Sequence, residues 1–368
     1  MKALVIGNSS SVYIRDFVEH MQKATNAEID VFSWVKGRLI PNEKVKEVMI
    51  PPIPKLLRKI PKVRGLWRLL ECRRILKSFE NCDICHVHYV NFISLMIHRK
   101  LYKKVIVSVW GGDFNRASPK MRRKQKKLYR IADKITFANQ ETLNDFDAYY
   151  NFEFSSKLTI CIFGLSTLEA LTKLTSSKIE CKEKLGIPFN SLVVVCGYNG
   201  SPIHQHREII ESISKVSHRL PRNLFLVFPM TYGAKSEYIK EIKTKLNKLG
   251  IKHLILEKFM LPEESAVLRK ASDVMVQVQT TDVLSGSMLE HLYAGNVVIT
   301  GNWLPYKILD DNYVYMEKIS SVQEVGERLV LVLDRLREIS ALNETRKEFI
   351  YSLANWEANI ESWVRLWS

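Results

Sequence analysis

The feature that most constrains this chain is the stretch from Ala271 to Gly301, which reads ASDVMVQVQTTDVLSGSMLEHLYAGNVVITG. Two apolar runs predict buried strands at Val274–Val278 and Asn296–Thr300. Between them, the spacing of the apolar residues and a following glycine predict a helix over Ser287–Tyr293. The stretch is therefore expected to form a strand, a polar loop, a helix and a second strand of an α/β fold.

The loop and the helix start of this stretch carry its polar groups. Ser285, Gly286 and Ser287 open the helix, where free backbone N–H groups and the positive end of the helix dipole favour phosphate. Glu290 lies one turn further on, where it is expected to accept hydrogen bonds from a ribose. Asp282, eight residues earlier, is expected to bind hydroxyl groups at the other end of a nucleotide-sugar.

Length and composition predict two domains, because 368 residues with 46% apolar side chains can bury two cores. No run approaches the ~18 uninterrupted apolar residues that a membrane span needs. The N-terminus, MKALVIGNSS, turns polar too early for a signal peptide. The six cysteines are therefore expected to be reduced thiols in a cytoplasmic protein.

The net charge of +16 is unevenly distributed. Residues 1–180 hold 32 Lys and Arg against 17 Asp and Glu, whereas the remainder holds 23 against 22. The basic stretch 44–77 includes the start of a helix predicted over Val63–Phe79, which carries Trp67, and a second basic helix is predicted over Ser118–Arg130. Such helices suit anionic lipid headgroups or a lipid diphosphate. The alternative is a solvated face on a domain-covering helix.

The chain begins with a strand at Met1–Gly7, a helix from Val12 to Ala24 and a strand at Ala27–Ser33. This order is typical of a Rossmann-like domain. The Gly-x-Gly-x-x-Gly fingerprint is absent, which argues against a nicotinamide-dependent oxidoreductase.

The segment 82–90, CDICHVHYV, formally matches a c-type haem attachment site and also suggests zinc. Its β-branched alternation and the lack of a second ligand pair nearby favour a central strand, so we predict no metal and no cofactor. His86 and His88 lie on one face of that strand. One of them, His88, is expected to approach the cleft, and a satisfied core histidine is the alternative.

The loop Trp110–Phe114 follows a strand predicted at Lys104–Val109. Ligands of open α/β sheets lie at the carboxyl ends of strands. Asp113 is therefore expected to bind an acceptor hydroxyl or to assist its deprotonation. An ordinary turn containing an aspartate is the alternative.

The C-terminal half restarts a βα series at Ser191–Cys196, after an expected interdomain connection over residues 165–189. The glycine-rich loop Gly197–Ser201 precedes a helix from Arg207, which is again a position for phosphate. The last segment places Trp356, Trp363 and Trp367 on a helical stripe that favours packing. The predicted donor-binding residues are Gly197, Asn199, Gly200, Ser201, His206, Arg207, Met230, Tyr232, Phe259, Ser285, Gly286, Ser287 and Glu290, and the predicted catalytic residues are His88, Asp113 and Asp282.

Asp282 and Glu290, with seven residues between them, resemble the acidic signature of the nucleotide-sugar-dependent glycosyltransferases of family 4, and residues 294–302 fit that family's pattern. Segments 108–114, 196–206 and 228–242 also look similar to bacterial TDP-N-acetylfucosamine:lipid II N-acetylfucosaminyltransferases. The chain departs from family 4 at Trp110, where a histidine is usual, and at Asp282, where a glutamate is usual. It also has His204, His206 and Arg207 in place of an Arg/Lys pair.

The resemblance implies a GT-B fold, an α/β architecture of two Rossmann-like domains whose parallel sheets face each other across a cleft. Residues 1–168 would bind the acceptor, residues 188–345 would bind the nucleotide-sugar, and residues 346–368 would form a C-terminal helix packed on the first domain. Closing the domains would exclude water from the reaction.

The implied enzyme is a metal-independent hexosyltransferase that moves a sugar from a nucleotide diphosphate sugar to a glycan or a polyprenyl-diphosphate-linked saccharide. The implied process is the biosynthesis of a bacterial surface polysaccharide, such as O-antigen or capsule, at the inner face of the cell membrane. Family 4 enzymes retain the anomeric configuration whereas the N-acetylfucosaminyltransferases are thought to invert it; retention is favoured, but the stereochemistry stays open. The alternatives are a GT-B epimerase or phosphorylase and a basic nucleic-acid-binding protein, although aromatic–basic alternation typical of RNA binding is lacking.

Overall fold

A computed structural model describes residues 1–37, 39, 42–54 and 61–368, without the side chains of Pro61 and Lys62. The chain divides into two compact units. The first comprises Met1–Gly164 and Trp356–Ser368, and the second comprises Leu165–Asn355. The basic residues within 55–60, which contribute to the predicted basic stretch, lie outside the described residues.

The first unit is built on a seven-stranded sheet. Its strands are β1 (Lys2–Ile6), β2 (Glu28–Ser33), β3 (Val45–Met49), β4 (Cys82–His88), β5 (Tyr102–Ser108), β6 (Lys134–Phe137) and β7 (Leu158–Ile160), and its helices include α1 (Val12–Thr25), α2 (Pro61–Ser78), α3 (Gly112–Asn115), α4 (Pro119–Ile131) and α5 (Gln140–Tyr149). The strands follow the order β3-β2-β1-β4-β5-β6-β7, and every neighbouring pair is parallel.

The second unit is built on a six-stranded sheet. Its elements are α6 (Ser166–Lys173), α7 (Lys178–Lys184), β8 (Leu192–Cys196), α8 (His206–Lys215), β9 (Leu224–Pro229), α9 (Ser236–Leu249), β10 (Lys252–Leu256), α10 (Pro262–Ala271), β11 (Val274–Gln277), α11 (Gly286–Tyr293), β12 (Val297–Gly301), α12 (Lys307–Asp311), β13 (Glu317–Ile319), α13 (Val325–Asp334), α14 (Leu336–Ala341) and α15 (Lys347–Ala354). The strand order is β10-β9-β8-β11-β12-β13, again with parallel pairs throughout.

The two parallel Rossmann-like sheets confirm the predicted fold class. Strands of such sheets are covered on both faces and therefore read as continuous apolar runs. In β9 all six residues are buried, and in β1 only the first residue is exposed. No helix within the described part of the chain is long and apolar enough to cross a membrane.

Two segments differ from the sequence-based expectation. Val45–Met49 forms β3, an edge strand that was not predicted because prolines follow it closely in the sequence. Residues 165–189 are not a bare connection, because they include α6 and α7, which both pack against α10 within the second unit.

The last helix, α16 (Trp356–Trp367), belongs to the first unit. The predicted packing role of its tryptophans is confirmed, since Trp356, Trp363 and Trp367 are all buried. The Trp363 Nε1 group donates a hydrogen bond to the Ile162 carbonyl at 3.0 Å, which fixes the helix to the end of the sheet.

Gly326 provides a test of the packing in the second unit. A Cβ atom at this position of α13 would lie 2.3 Å from the Ser212 carbonyl oxygen in α8, so Gly326→Ala should force the two helices apart. We expect a loss of about 1–3 kcal/mol in the free energy of unfolding, measured with urea. Gly65→Ala in α2 is the matched control, because a Cβ atom there meets nothing within 4 Å. It should instead stabilise the protein by up to about 1 kcal/mol.

Candidate active site

The second unit has a topological switch point between β8 and β11. From β8 the chain proceeds outward through β9 and β10, and from β11 it proceeds the other way through β12 and β13. Gly197 N–H, directly after β8, donates to the Val276 carbonyl of β11 at 3.0 Å. Thr280 N–H, in the loop after β11, donates to the Ile203 carbonyl in the segment after β8 at 2.9 Å. Open α/β sheets bind their ligands where neighbouring strands diverge in this way.

The loop after β8 is shaped by its own side chains. Gly197 has a φ of +69°, and a Cβ atom there would also lie 3.1 Å from the rings of His204 and His206, so glycine is required. Asn199 Oδ1 accepts a hydrogen bond from Ser201 N–H at 2.8 Å. Gly200 N–H donates to the Tyr232 carbonyl at 2.7 Å, which joins this loop to the one after β9.

His206 and Arg207 do not offer this loop the positive charge that was expected for binding a diphosphate. Burial lowers the pKa of His206 to about 4 and that of its neighbour His204 to about 3, so both rings are neutral at pH 7. Arg207 donates two hydrogen bonds of 2.6 Å to Glu241, which compensates its charge. The sequence reasoning failed here because it did not account for desolvation and for a partner 34 residues away.

The start of α11 is buried rather than openly exposed as predicted. Ser285 is 3% exposed, and its Oγ accepts a hydrogen bond from Met288 N–H at 3.2 Å, the usual role of an N-cap serine. The N–H groups of Gly286 and Ser287 donate to no group in the described part of the chain, and the buried Ser287 Oγ has no partner there. Buried polar groups normally have partners. Unsatisfied donors at a helix start therefore indicate a place for an anion.

Glu290, one turn into α11, forms a buried ion pair with Arg269 of α10. Arg269 Nε and Nη2 both lie 3.0 Å from Glu290 Oε2, and Arg269 Nη1 has no hydrogen-bond partner among the described residues. The sequence analysis missed Arg269. A detectable signal was available, because Arg269 follows the buried Ala266 by three positions on the core-facing side of its helix.

Asp282 is held by residues that the sequence analysis also missed. Its Oδ2 accepts hydrogen bonds from the Tyr306 hydroxyl at 2.5 Å and from Gln277 Nε2 at 3.3 Å. Desolvation raises the pKa of Asp282, although the hydrogen bond from Tyr306 opposes that shift. Thr300 Oγ donates to the Gln277 carbonyl at 2.9 Å, so the network spans the ends of β11 and β12.

The remaining predicted donor residues differ in accessibility. Met230 is 2% exposed and packs in the hydrophobic core, so its side chain is not available to a ligand as predicted. Tyr232 and Phe259 are partly exposed, with ring centroids 6.5 Å apart. Desolvation raises the pKa of the Tyr232 hydroxyl, although the side chain of Asn199 opposes that shift.

In the first unit, His88 lies at the end of β4 inside an aromatic cluster. Its ring centroid is 4.4 Å from that of Phe17, and neither ring nitrogen has a partner in the described part of the chain. Burial lowers the pKa of His88 to about 3, so the predicted catalytic histidine is neutral and enclosed. His86 is satisfied: Trp367 Nε1 donates to its Nδ1 at 3.0 Å, which leaves Nε2 to donate to Ser108 Oγ at 2.8 Å.

Asp113 organises the loops after β4 and β5. Its Oδ2 accepts from Val90 N–H at 2.8 Å and its Oδ1 accepts from Trp110 N–H at 2.9 Å. Burial raises the pKa of Asp113 to about 6 in spite of these hydrogen bonds. The loop geometry is that of the alternative interpretation, an aspartate that stabilises a turn.

Comparison with known proteins agrees with this architecture. Residues 10–160, which lie within the first unit, match the profile of Glycosyltransferase Family 4. Among solved structures, Anabaena HepE in complex with UDP and glucose superposes with a TM-score of 0.76 at 14% sequence identity, covering 100% of this chain and 99% of that one. The chain has a GT-B fold.

Two further structures show the same similarity. A glycosyltransferase from Rickettsia africae has a TM-score of 0.74 and 14% identity, with 100% of this chain and 97% of that one covered. Sucrose-phosphate synthase from Thermosynechococcus elongatus has a TM-score of 0.74 and 13% identity, with 100% and 98% covered. No curated protein sequence matches the chain. The profile match and the shared fold support a GT-B glycosyltransferase.

The Arg269–Glu290 pair allows a stability prediction. Arg269→Met should leave Glu290 buried without its cation and lower the free energy of unfolding by about 3–5 kcal/mol. The double variant Arg269→Met/Glu290→Met should recover most of that loss, because replacing both buried partners by apolar groups is often neutral. Arg365→Met is the exposed control, since Arg365 and Glu361 are 74% and 71% exposed. It should cost less than about 1 kcal/mol. Urea unfolding of the four proteins measures the difference.

The raised pKa of Asp113 predicts a pH dependence of stability. Below about pH 3 the carboxyl is protonated in both the folded and the unfolded states, and its stabilising contribution is complete. As the pH rises through the folded-state value of about 6, the unfolded state ionises first and that contribution is lost. Relative to Asp113→Asn, the wild type should lose about 2 kcal/mol between pH 4 and pH 7. An equal pH dependence of urea unfolding in both proteins would contradict this assignment.

Proposed function

We propose that the protein transfers a sugar from a nucleoside diphosphate sugar to a hydroxyl group of a glycan or a lipid-linked saccharide. The observation that carries this proposal is the buried start of α11 at the switch point of the second sheet. There, two backbone N–H groups and the Ser287 hydroxyl have no partner in the described part of the chain. A diphosphate supplies the acceptors that these groups need, and the helix dipole favours its charge.

The other residues of the switch point fit the rest of such a donor. The diphosphate would lie on Gly286 and Ser287, with the loop Gly197–Ser201 beside it. Glu290 is held in one orientation by Arg269 and would accept hydrogen bonds from the ribose. Asp282, oriented by Tyr306, would bind hydroxyl groups of the sugar.

The nucleobase has a candidate contact surface of its own. Tyr232 and Phe259 follow β9 and β10, and their partly exposed rings offer an aromatic surface against which a base could stack.

In the proposed reaction an acceptor hydroxyl oxygen forms a bond to the anomeric carbon while the bond from that carbon to the diphosphate breaks. The electron pair of the broken bond stays on the diphosphate, and the hydroxyl proton passes to a base. Fixed N–H dipoles around the leaving group stabilise its growing charge, which is commonly the largest contribution to catalysis. Because these dipoles and Arg269 meet that charge, we propose a metal-independent transfer, with retention favoured over inversion.

The finer proposal concerns the acceptor. The first unit holds 31 Lys and Arg against 17 Asp and Glu, whereas the second holds 24 against 22. A basic acceptor-binding unit suits a polyprenyl-diphosphate-linked saccharide at the inner face of a bacterial membrane. We therefore propose a role in surface polysaccharide biosynthesis, and the resemblance to N-acetylfucosaminyltransferases adds TDP-sugars to the donors to be tested.

A thermal-shift screen with UDP, GDP, dTDP and their sugars tests the donor site, in buffer containing EDTA. A ligand at 100 times its Kd should add about 2.7 kcal/mol and raise the melting temperature by roughly 5–10 °C. Glu290→Gln should reduce that shift, while Glu237→Gln, an exposed residue of α9, should leave it unchanged. The proposal fails if no nucleotide raises the melting temperature and no donor releases a nucleoside diphosphate. Conversion of a donor without any acceptor would instead indicate an epimerase.

A further inference from the structure

The loop after β12 carries a tryptophan that does not belong to the core of the second unit. Trp303 is 37% exposed, although its ring has a large apolar area. Two contacts nevertheless fix the ring. Its Nε1 group donates a hydrogen bond to the Gln279 carbonyl at 2.9 Å. A Cβ atom at Gly301 would lie 2.4–2.5 Å from three atoms of the indole, so the ring rests directly on the backbone of that glycine. An exposed ring that is held in one position is a preorganised contact surface for a ligand.

The Trp303 ring lies beside the polar network of the candidate active site. Gln279, whose carbonyl holds the indole, comes shortly after β11, and its side chain is close enough to act on the Asp282 carboxylate. Tyr306, three residues after Trp303, donates its hydroxyl hydrogen bond to Asp282. Two hydrogen bonds therefore join the loop that carries Trp303 to the loop that carries Asp282. Both loops follow the carboxyl ends of parallel strands, where open α/β sheets bind their ligands.

A flat aromatic ring beside polar groups matches the two surfaces of a hexose, which has C–H groups on its faces and hydroxyl groups around its rim. The face of an aromatic ring is electron-rich and attracts such C–H groups. Gln277 Oε1 and both amide atoms of Gln279 are buried without a hydrogen-bond partner among the described residues. Buried polar groups normally have partners. Hydroxyl groups can supply them, because a hydroxyl both donates and accepts.

The charge of this place disfavours an anionic sugar. The partners of Asp282 are all neutral, namely the Tyr306 hydroxyl, the Gln277 amide and the Val283 N–H. Within the described part of the chain, no Lys or Arg forms an ion pair with Asp282. The carboxylate of a uronic acid only accepts hydrogen bonds, and it would face Asp282 without a cation between them. A neutral hexose avoids that repulsion.

We propose that Trp303, Gln279 and Asp282, called the sugar subsite below, bind the sugar of the donor, and that this sugar is a neutral hexose. The C–H face of the hexose stacks on the exposed part of the indole, while hydroxyl groups of its rim bind Asp282 and the Gln279 amide. The subsite depends on the proposed function, since the sugar reaches it attached to a nucleoside diphosphate. Trp303 is thereby a specificity-determining residue that contacts the sugar and leaves the nucleotide untouched.

Isothermal titration calorimetry of the whole chain tests the sugar subsite. UDP, GDP and dTDP are each compared with a donor of the same nucleotide that carries a neutral hexose, namely UDP-glucose, GDP-mannose and dTDP-glucose. For the nucleotide that binds, Trp303→Ala should weaken the hexose donor about tenfold, because the stacking contact is lost. The same variant should leave the Kd of the nucleoside diphosphate within about twofold of the wild-type value, since the indole does not contact it. Trp303→Phe keeps an aromatic face and should restore most of the lost affinity.

Phe189→Ala is the matched control for the loss of an exposed aromatic ring. Phe189 is 64% exposed and precedes β8, so it lies at the amino end of a strand of the same sheet. Its replacement should change the affinity of neither the nucleoside diphosphate nor the hexose donor.

A uronate donor of the same nucleotide tests the charge of the subsite. UDP-glucuronate, GDP-mannuronate or dTDP-glucuronate should bind the wild type at least about tenfold more weakly than the neutral hexose donor, because its carboxylate is repelled by Asp282. Asp282→Asn removes that charge and keeps the shape of the side chain. This variant should bring the affinities for the two donors to within about threefold of each other.

The sugar subsite is overturned if a nucleoside diphosphate binds but Trp303→Ala leaves the affinity for the hexose donor unchanged, or weakens both ligands equally. It is also overturned if the wild type binds the uronate donor as tightly as the hexose donor, or if Asp282→Asn preserves the discrimination between them. In each of these outcomes the donor site at the start of α11 stands. If none of the nucleotides binds, that donor site fails, and the sugar subsite fails with it.

Discussion

The organisation of the second unit follows from the divergence of its strands at β8 and β11. These strands are neighbours in the sheet, but the chain leaves them in opposite directions along it. The connections that follow these two strands therefore run in opposite directions. In such sheets no connection covers the space between the two loops at the ends of the strands. The glycine loop after β8 and the start of α11 lie at the same edge of the sheet because β8 and β11 are neighbours, although they are more than 80 residues apart in the chain.

Burial decides which charges remain at this place. His204 and His206 are neutral because desolvation favours the uncharged ring, and Arg207 is held by Glu241. The buried Arg269 guanidinium is paired with the Glu290 carboxylate at 3.0 Å. A buried ion pair contributes little net stability, since desolvation offsets most of the attraction. Its consequence is positional: it fixes a carboxylate and a guanidinium beside unsatisfied backbone donors.

The sequence predicted the fold well because parallel strands covered on both faces leave an unmistakable apolar pattern. Strand β3 was not predicted, because Val45–Met49 is a partly exposed edge strand and lacks a continuous apolar run. A proline-rich stretch also follows it directly. At the site, Ser285 to Ser287 and Glu290 could be predicted because helix starts and their first turns are local features. The pairing of Arg269 with Glu290 and of Tyr306 with Asp282 could not be predicted, since each contact spans more than 20 residues. His88 and Met230 were predicted to face a ligand, but both side chains are buried. At the end of an apolar strand, the local sequence does not show which individual side chains are buried.

The two units deal with negative charge in different ways. The second has a surplus of only two basic residues, 24 against 22, so an anion at its switch point would be met mainly by backbone dipoles and one buried guanidinium. Such groups act at short range and select a particular geometry. The first unit has a surplus of 14 basic over acidic residues. Most of the described Lys and Arg side chains of α2 and α4 are exposed. Exposed charges of this kind attract anions over distances of about a Debye length. A donor site of the proposed kind does not require that distant charge.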